Sequence, residues 1–120
     1  MRIQVITLFP EEFKPLVALG VTGRAIGAGQ VQLELSNPRD FARDRHRTVD
    51  DAPYGGGAGM VMAAEPWARA LSAVAEQDRQ RTPHLLVTSP SGQPLTQDWA
   101  QRLAGEPWLV IACGRYEGID

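Results

Sequence analysis

Cysteine is nearly missing from this sequence. Cys113 stands alone, so no intrachain disulfide can form and no cysteine-built zinc site exists within one chain. Histidine is almost as scarce: of His46 and His84, the second opens an apolar run, which gives little support to a metal cage or a histidine-based catalytic pair. The serines sit in no nucleophile elbow, which removes the commonest hydrolase readings. Long apolar runs are absent as well. Ile3 to Phe9 is too short for a signal-peptide core and is followed at once by Pro10 and two glutamates, and no segment approaches a membrane span. A reducing, cytoplasmic setting is the expectation.

No low-complexity tract and no block of like charge is present to hold the chain unfolded. Lysine is reduced to Lys14, so nearly all positive charge rests on arginine, which suits planar recognition of phosphates and also follows from a biased genome. Twelve basic residues against fourteen acidic ones give a formal charge of −2, which argues against coating nucleic acid by charge alone and leaves room for a local basic patch. What remains is 120 residues, 43% of them hydrophobic, enough for one domain with a real core and too few for a second.

Residues 2–8, with Ile3, Val5, Ile6 and Leu8, form a buried first strand stopped by Phe9 and Pro10. Residues 10–28 predict two short helical pieces, started by Pro10 with Glu11 and Glu12 in the first turn and punctuated by Gly20 and Gly29. Residues 31–35 alternate like a strand. From Ser36 to Met60 no hydrophobic period survives, which predicts a long loop holding at most a helical turn, and loops of that length are commonly functional. A helical pattern resumes over 65–77, with Trp67, Ala70, Leu71 and Val74 on one face. A strand at 84–88, a turn, a helix over 96–103 capped by Thr96 and a strand at 107–113 complete the order. Alternating strands and helices predict an α/β domain with a mainly parallel sheet, which binds ligands beyond the carboxyl ends of its strands. The segments 89–94 and 114–120 follow such strands.

In Ser89-Pro90-Ser91-Gly92-Gln93-Pro94 the prolines stiffen a turn. Gly92 is able to take a positive φ and bring a ligand close to free backbone N–H groups. The stretch Cys113 to Asp120 packs two glycines, a cation, an aromatic and two carboxylates into one turn: Gly114 and Gly118 give clearance for a flat base, Tyr116 can stack, and Glu117 or Asp120 can accept from hydroxyls or a base edge. Gly55 to Gly59 invites a phosphate-loop reading and fails it, because no Lys-Ser or Lys-Thr follows; an enzyme using a nucleoside triphosphate is thereby disfavoured. Upstream, Pro38 to Asp51 gathers four Arg and one His interrupted by four Asp, a composition that fits either a solvated salt-bridged face or a loop reaching RNA phosphates and an extruded base.

Read in order, ITLFPEEF at 6–13, GVTGRAI at 20–26, NPRDFARDRHRTVDDAPYGGGAGM at 37–60, TSPSGQPLTQ at 88–97 and CGRYEGID at 113–120 resemble the bacterial tRNA (guanine-N1)-methyltransferases from the first residue to the last. The resemblance implies a SPOUT-type domain with a trefoil knot, S-adenosylmethionine as methyl donor, and tRNA as substrate, methylated at N1 of the guanine 3′ of the anticodon by a homodimer. It implies that Ser89, Pro90, Gly92, Gly114, Tyr116, Glu117 and Gly118 line the cofactor. It also implies that Arg45, His46, Arg47 and Asp50 face tRNA, and that Glu117 supports catalysis or magnesium; no metal ligand set is otherwise evident. Family members continue beyond the position matching Asp120 through a third cofactor loop, a linker carrying the proposed general base and a helical domain. On that comparison residues 1–120 form an incomplete cofactor-binding domain, cut before the knot closes and inactive alone. Ala58 stands where the family usually has Pro. The competing reading is a noncatalytic domain that binds a nucleotide or RNA, or dimerises.

Overall fold

The computed structural model describes residues 1–42, 50–51 and 61–114. Four strands, β1 (Arg2–Ile6), β2 (Gln32–Ser36), β5 (His84–Val87) and β6 (Trp108–Ala112), form one sheet in the order β2-β1-β6-β5. Every pairing in it is parallel, as the alternation of elements predicts. The helices are α1 (Pro10–Val17), α2 (Gly20–Gly27), α3 (Ala64–Glu76) and α4 (Gln97–Ala104).

Local chemistry sets the boundaries. Pro10 occupies the first turn of α1, where a missing N–H costs nothing, and the two glutamates beside it favour the positive end of the helix dipole. Gly20 at φ +57° separates α1 from α2, and Gly29 at φ +77° releases the chain into β2. Thr96 caps α4, its Oγ1 accepting from the Trp99 N–H at 3.2 Å. β1 ends at Ile6, two residues before the apolar run does, because the Phe9 N–H turns back onto Thr7 Oγ1 at 3.1 Å. The interval expected as loop from Ser36 holds a 3-10 turn, Pro38–Phe41, and a short antiparallel ladder between β3 (Asp50–Asp51) and β4 (Val61–Met62). Two-residue strands carry no periodicity to detect.

Period two in the strands and 3.6 in the helix bring the core together. The register sets Ile6 beside Ala112 and Gln4 beside Val110 on one face of the sheet. Against that face α3 lays Trp67, Ala70 and Val74, all buried, with Leu71 at the margin as its spacing predicts. Leu85 and Val87 of the edge strand share the same face but stay 46% and 53% exposed. α1 and α2 lie across the other face, above Leu33 and Leu35, and bury no residue fully.

Candidate functional site

The chain leaves β5 and β6 side by side at the carboxyl edge of the sheet. The hydrogen-bond ladder continues one residue past the strands: the Thr88 N–H donates to the Ala112 carbonyl at 3.1 Å and the Cys113 N–H to the Ile6 carbonyl at 2.9 Å. Ser89 and Gly114 therefore leave adjacent strands held in fixed register, at the crevice position where parallel sheets take ligands.

The first turn is closed by its own backbone. Gly92 N–H donates to the Ser89 carbonyl at 3.1 Å, Ser91 N–H donates to Ser89 Oγ at 3.2 Å, and the two serine hydroxyls lie 2.9 Å apart. This corrects the sequence reading in two respects. The amides of Ser91 and Gly92 are used inside the turn rather than left for a ligand, and Gly92 is not among the positive-φ glycines. Glycine gives clearance there, since a Cβ would meet the Ser89 carbonyl oxygen at 3.3 Å. Ser89 and Pro90 are exposed on the outer side of the turn, available to a ligand.

At the end of β6 Cys113 is half-buried, and burial pushes its thiol above the ordinary range, with a hydrogen bond involving Thr88 pulling part of the way back. It is a protonated thiol at neutral pH, not an activated nucleophile. Gly114 follows it at the edge. Tyr116, Glu117 and Gly118, and likewise Arg45, His46 and Arg47, lie outside the described residues; Asp50 is placed by its backbone in β3. Of the expected cofactor residues, then, Ser89, Pro90, Gly92 and Gly114 are brought to one edge. Among the described residues no group of three or more His, Cys, Asp and Glu side chains could hold a metal ion.

Beside this edge the 3-10 turn is pinned at both ends. Asn37 Oδ1 accepts from the Arg39 N–H at 2.9 Å while its amide donates to the Leu8 carbonyl at 3.4 Å, and Arg69 of α3 donates to the Phe41 carbonyl at 2.8 Å. Sequence reasoning missed Arg69, because a single arginine in an amphipathic helix gives no sign of which carbonyl it will reach. A cleft of about 360 Å³ opens between this turn and α1, lined by Glu11, Lys14, Ser36, Asn37 and Asp40.

Comparison with solved structures finds the same architecture in the tRNA (m1G37) methyltransferase from Aquifex aeolicus. The likeness covers 100% of this chain and 53% of that one, with a TM-score of 0.88 and 36% identity. The fold thus fits a SPOUT-type domain of the α/β class. Residues 1–120 match the family model for tRNA (Guanine-1)-methyltransferase TrmD, and the chain belongs to that family. Relatives described as tRNA (guanine-N(1)-)-methyltransferase include one from Thermobifida fusca, 52% identical over 120 residues, and one from an Arthrobacter species, 55% identical over 123 residues. All of this chain is covered in both comparisons, against 45% and 44% of the relatives. The chain spans about half the length of the curated relatives it matches.

Proposed function

We propose that this chain serves S-adenosylmethionine-dependent methylation of tRNA at N1 of the guanine 3′ of the anticodon. The observation that carries the reading is the pairing of the Ser89–Gly92 turn with Gly114 on adjacent parallel strands, in a chain whose family is named for that reaction. The residues fit a nucleoside: an exposed stiff turn, a glycine at which a Cβ would crowd the turn's own carbonyl, and a second glycine on the adjacent strand's exit. Ser89, Pro90, Gly92, Gly114, Tyr116, Glu117 and Gly118 would line the cofactor. When bound, S-adenosylmethionine supplies a methyl group on a positively charged sulfur.

The chain's own residues then have two tasks. Arg45, His46, Arg47 and Asp50 would hold the RNA, Arg on phosphates and His or Arg stacked against an extruded base. Neutral guanine carries a proton on N1, so a base must accept it as the nitrogen attacks in line. Glu117 would support that step by hydrogen bonding to the guanine edge or by holding magnesium. The general base proper is expected from sequence that the longer relatives possess beyond this stretch. The working form would be a cytoplasmic homodimer; among the described residues no helix is long and apolar enough to cross a membrane.

The test is isothermal titration of S-adenosylhomocysteine into this chain and into a chimera joining it to the remaining part of the Thermobifida relative, with methyl transfer to a tRNA carrying that guanine. The chimera should bind and transfer, and should lose transfer when the guanine is replaced by adenine. A folded chimera that neither binds nor transfers overturns the reading.

A further inference from the structure

The two strand exits that carry the candidate cofactor edge are not held alike. At the end of β6 the Cys113 N–H donates to the Ile6 carbonyl at 2.9 Å, which ties the chain before Gly114 to β1. β5 lies at the end of the sheet order, and among the described residues β6 is its one neighbour. Past Thr88 the chain closes on itself, with the Gly92 N–H on the Ser89 carbonyl and the Ser91 N–H on Ser89 Oγ. Among the described residues, Thr88 is thus the last tie from this side to β6 before the turn begins.

Thr88 makes that tie with more than its backbone. Its N–H donates to the Ala112 carbonyl at 3.1 Å and its hydroxyl donates to the same oxygen at 3.5 Å, so both lone pairs are engaged from one residue. The register pairs Val87 with Ala112, and one step further it sets Thr88 beside Cys113 with both side chains on one face. A hydrogen bond there joins the Thr88 side chain to the Cys113 thiol. One hydroxyl therefore meets the two residues that precede Gly114, from the position that precedes Ser89. The 3.5 Å bond is long and contributes little to folding. Its place is what matters, at the point where the two ligand segments part.

Resting on the function proposed above, we propose that Thr88 is a positioning residue for the cofactor: its hydroxyl, bridging to Ala112 and Cys113, fixes the spacing between the Ser89–Gly92 turn and Gly114. It acts through those two segments and not on the reacting atoms. Without the hydroxyl one backbone bond holds the β5 exit, and cofactor binding must order what was ordered beforehand. The pairing upstream, from His84 with Leu109 to Val87 with Ala112, is left unaltered, and valine, which matches threonine in shape, suits an extended chain.

The experiment uses the methylating chimera with Thr88→Val, Thr88→Ser and, as a control for the added apolar group, Thr82→Val at an exposed threonine before β5. By calorimetry, Thr88→Val should weaken S-adenosylhomocysteine binding about fivefold, equivalent to ~1 kcal/mol, the scale of one hydrogen bond. The KM for S-adenosylmethionine should rise by a similar factor, whereas kcat and the KM for tRNA should change less than about twofold. The melting temperature should not fall. Thr88→Ser, which keeps the hydroxyl, should recover most of the affinity, and Thr82→Val should match the parent. The role is overturned if Thr88→Val binds like the parent, if Thr88→Ser loses as much as Thr88→Val, or if both KM values rise alike. A fall in melting temperature with unchanged affinity assigns the hydroxyl to stability alone and overturns it too. Should Thr88→Val fail to fold, Thr88→Ala, which also lacks the hydroxyl, decides by the same affinity. A parent chimera that neither binds nor transfers removes the underlying function and this role with it, whereas a working parent with an indifferent Thr88→Val removes this role alone.

Discussion

Trp108 donates its indole N–H to Gln4 Oε1 at 2.6 Å, both residues buried on neighbouring strands at the α3 face of the sheet. The amide of Gln4 is spent in turn on Glu34 Oε2 at 3.0 Å and Gln77 Oε1 at 2.9 Å, while Arg2 lies over the Trp108 ring at 5.1 Å. One glutamine thus ties β1 to β2, to β6 and to the end of α3. Its replacement by leucine strands a buried indole N–H and two acceptors, so Gln4→Leu should destabilise the chain by about 1–3 kcal/mol in urea unfolding. An equal or raised midpoint would mean the network is not holding the sheet.

Gly23 of α2 stands where the helix crosses the end of α1. A Cβ there would lie 2.1 Å from the Ala18 carbonyl oxygen, a backbone atom that no rotamer change can move. Although alanine is the better helix former, Gly23→Ala should cost about 1–3 kcal/mol, whereas Gly27→Ala, with open space at the same helix's end, should be neutral or mildly stabilising. Thermal midpoints of the two variants compare them directly.

Among the described residues Trp67 is the largest fully buried side chain, and its indole N–H finds no hydrogen-bond partner there. Trp67→Phe loses some buried area but removes a donor whose desolvation costs about 1–3 kcal/mol, so the net change in unfolding free energy should be below about 1 kcal/mol. Trp67→Ala, which empties the site, should cost about 3–5 kcal/mol.

Cys113 sets an alkaline limit. Because burial raises its pKa in the folded chain, the folded state holds the thiol proton more tightly than the unfolded state does. Stability is therefore intact below the unfolded value of 9.0 and is lost as pH rises from there through the folded pKa. Urea midpoints measured from pH 7 to 10 should fall at the alkaline end, and Cys113→Ala should flatten that fall. Identical profiles for the two chains would dismiss the effect.

At the candidate site, Gly92→Ala should push the turn open by a few tenths of an ångström, because the added carbon meets the Ser89 carbonyl oxygen at 3.3 Å. We expect S-adenosylhomocysteine to bind the methylating chimera about fivefold more weakly, equivalent to ~1 kcal/mol, with little change in melting temperature. Calorimetry on the variant checks both.

Most of the architecture was legible because it is periodic or capped. The apolar runs that hold β1 and β6, the face of Trp67, Ala70 and Val74, Pro10 at a helix start and Thr96 at another are local signals, and each element falls within or close to the span read for it. The alternation of strands and helices also predicted that Ser89 and Gly114 follow parallel strands, and the structure brings these two residues to one edge of the sheet. Three features were not legible. The β3–β4 ladder is too short to carry a period, the Gly92 requirement is steric rather than a matter of φ, and Gln4 looks like one more polar residue in an alternating strand.

The sequence by itself therefore determined which segments become strands and helices, which family the motifs resemble and that the segments starting at Ser89 and Gly114 follow parallel strands, because those depend on propensity, spacing and element order. Only the tertiary structure decided that Gln4 rather than an apolar residue joins three strands and α3, that the amides of Ser91 and Gly92 close their own turn, and that Arg69 reaches Phe41 across 28 residues of chain. Those are long-range or atomic-scale pairings, chosen by which groups are left without partners once the layers close, and no local pattern encodes them.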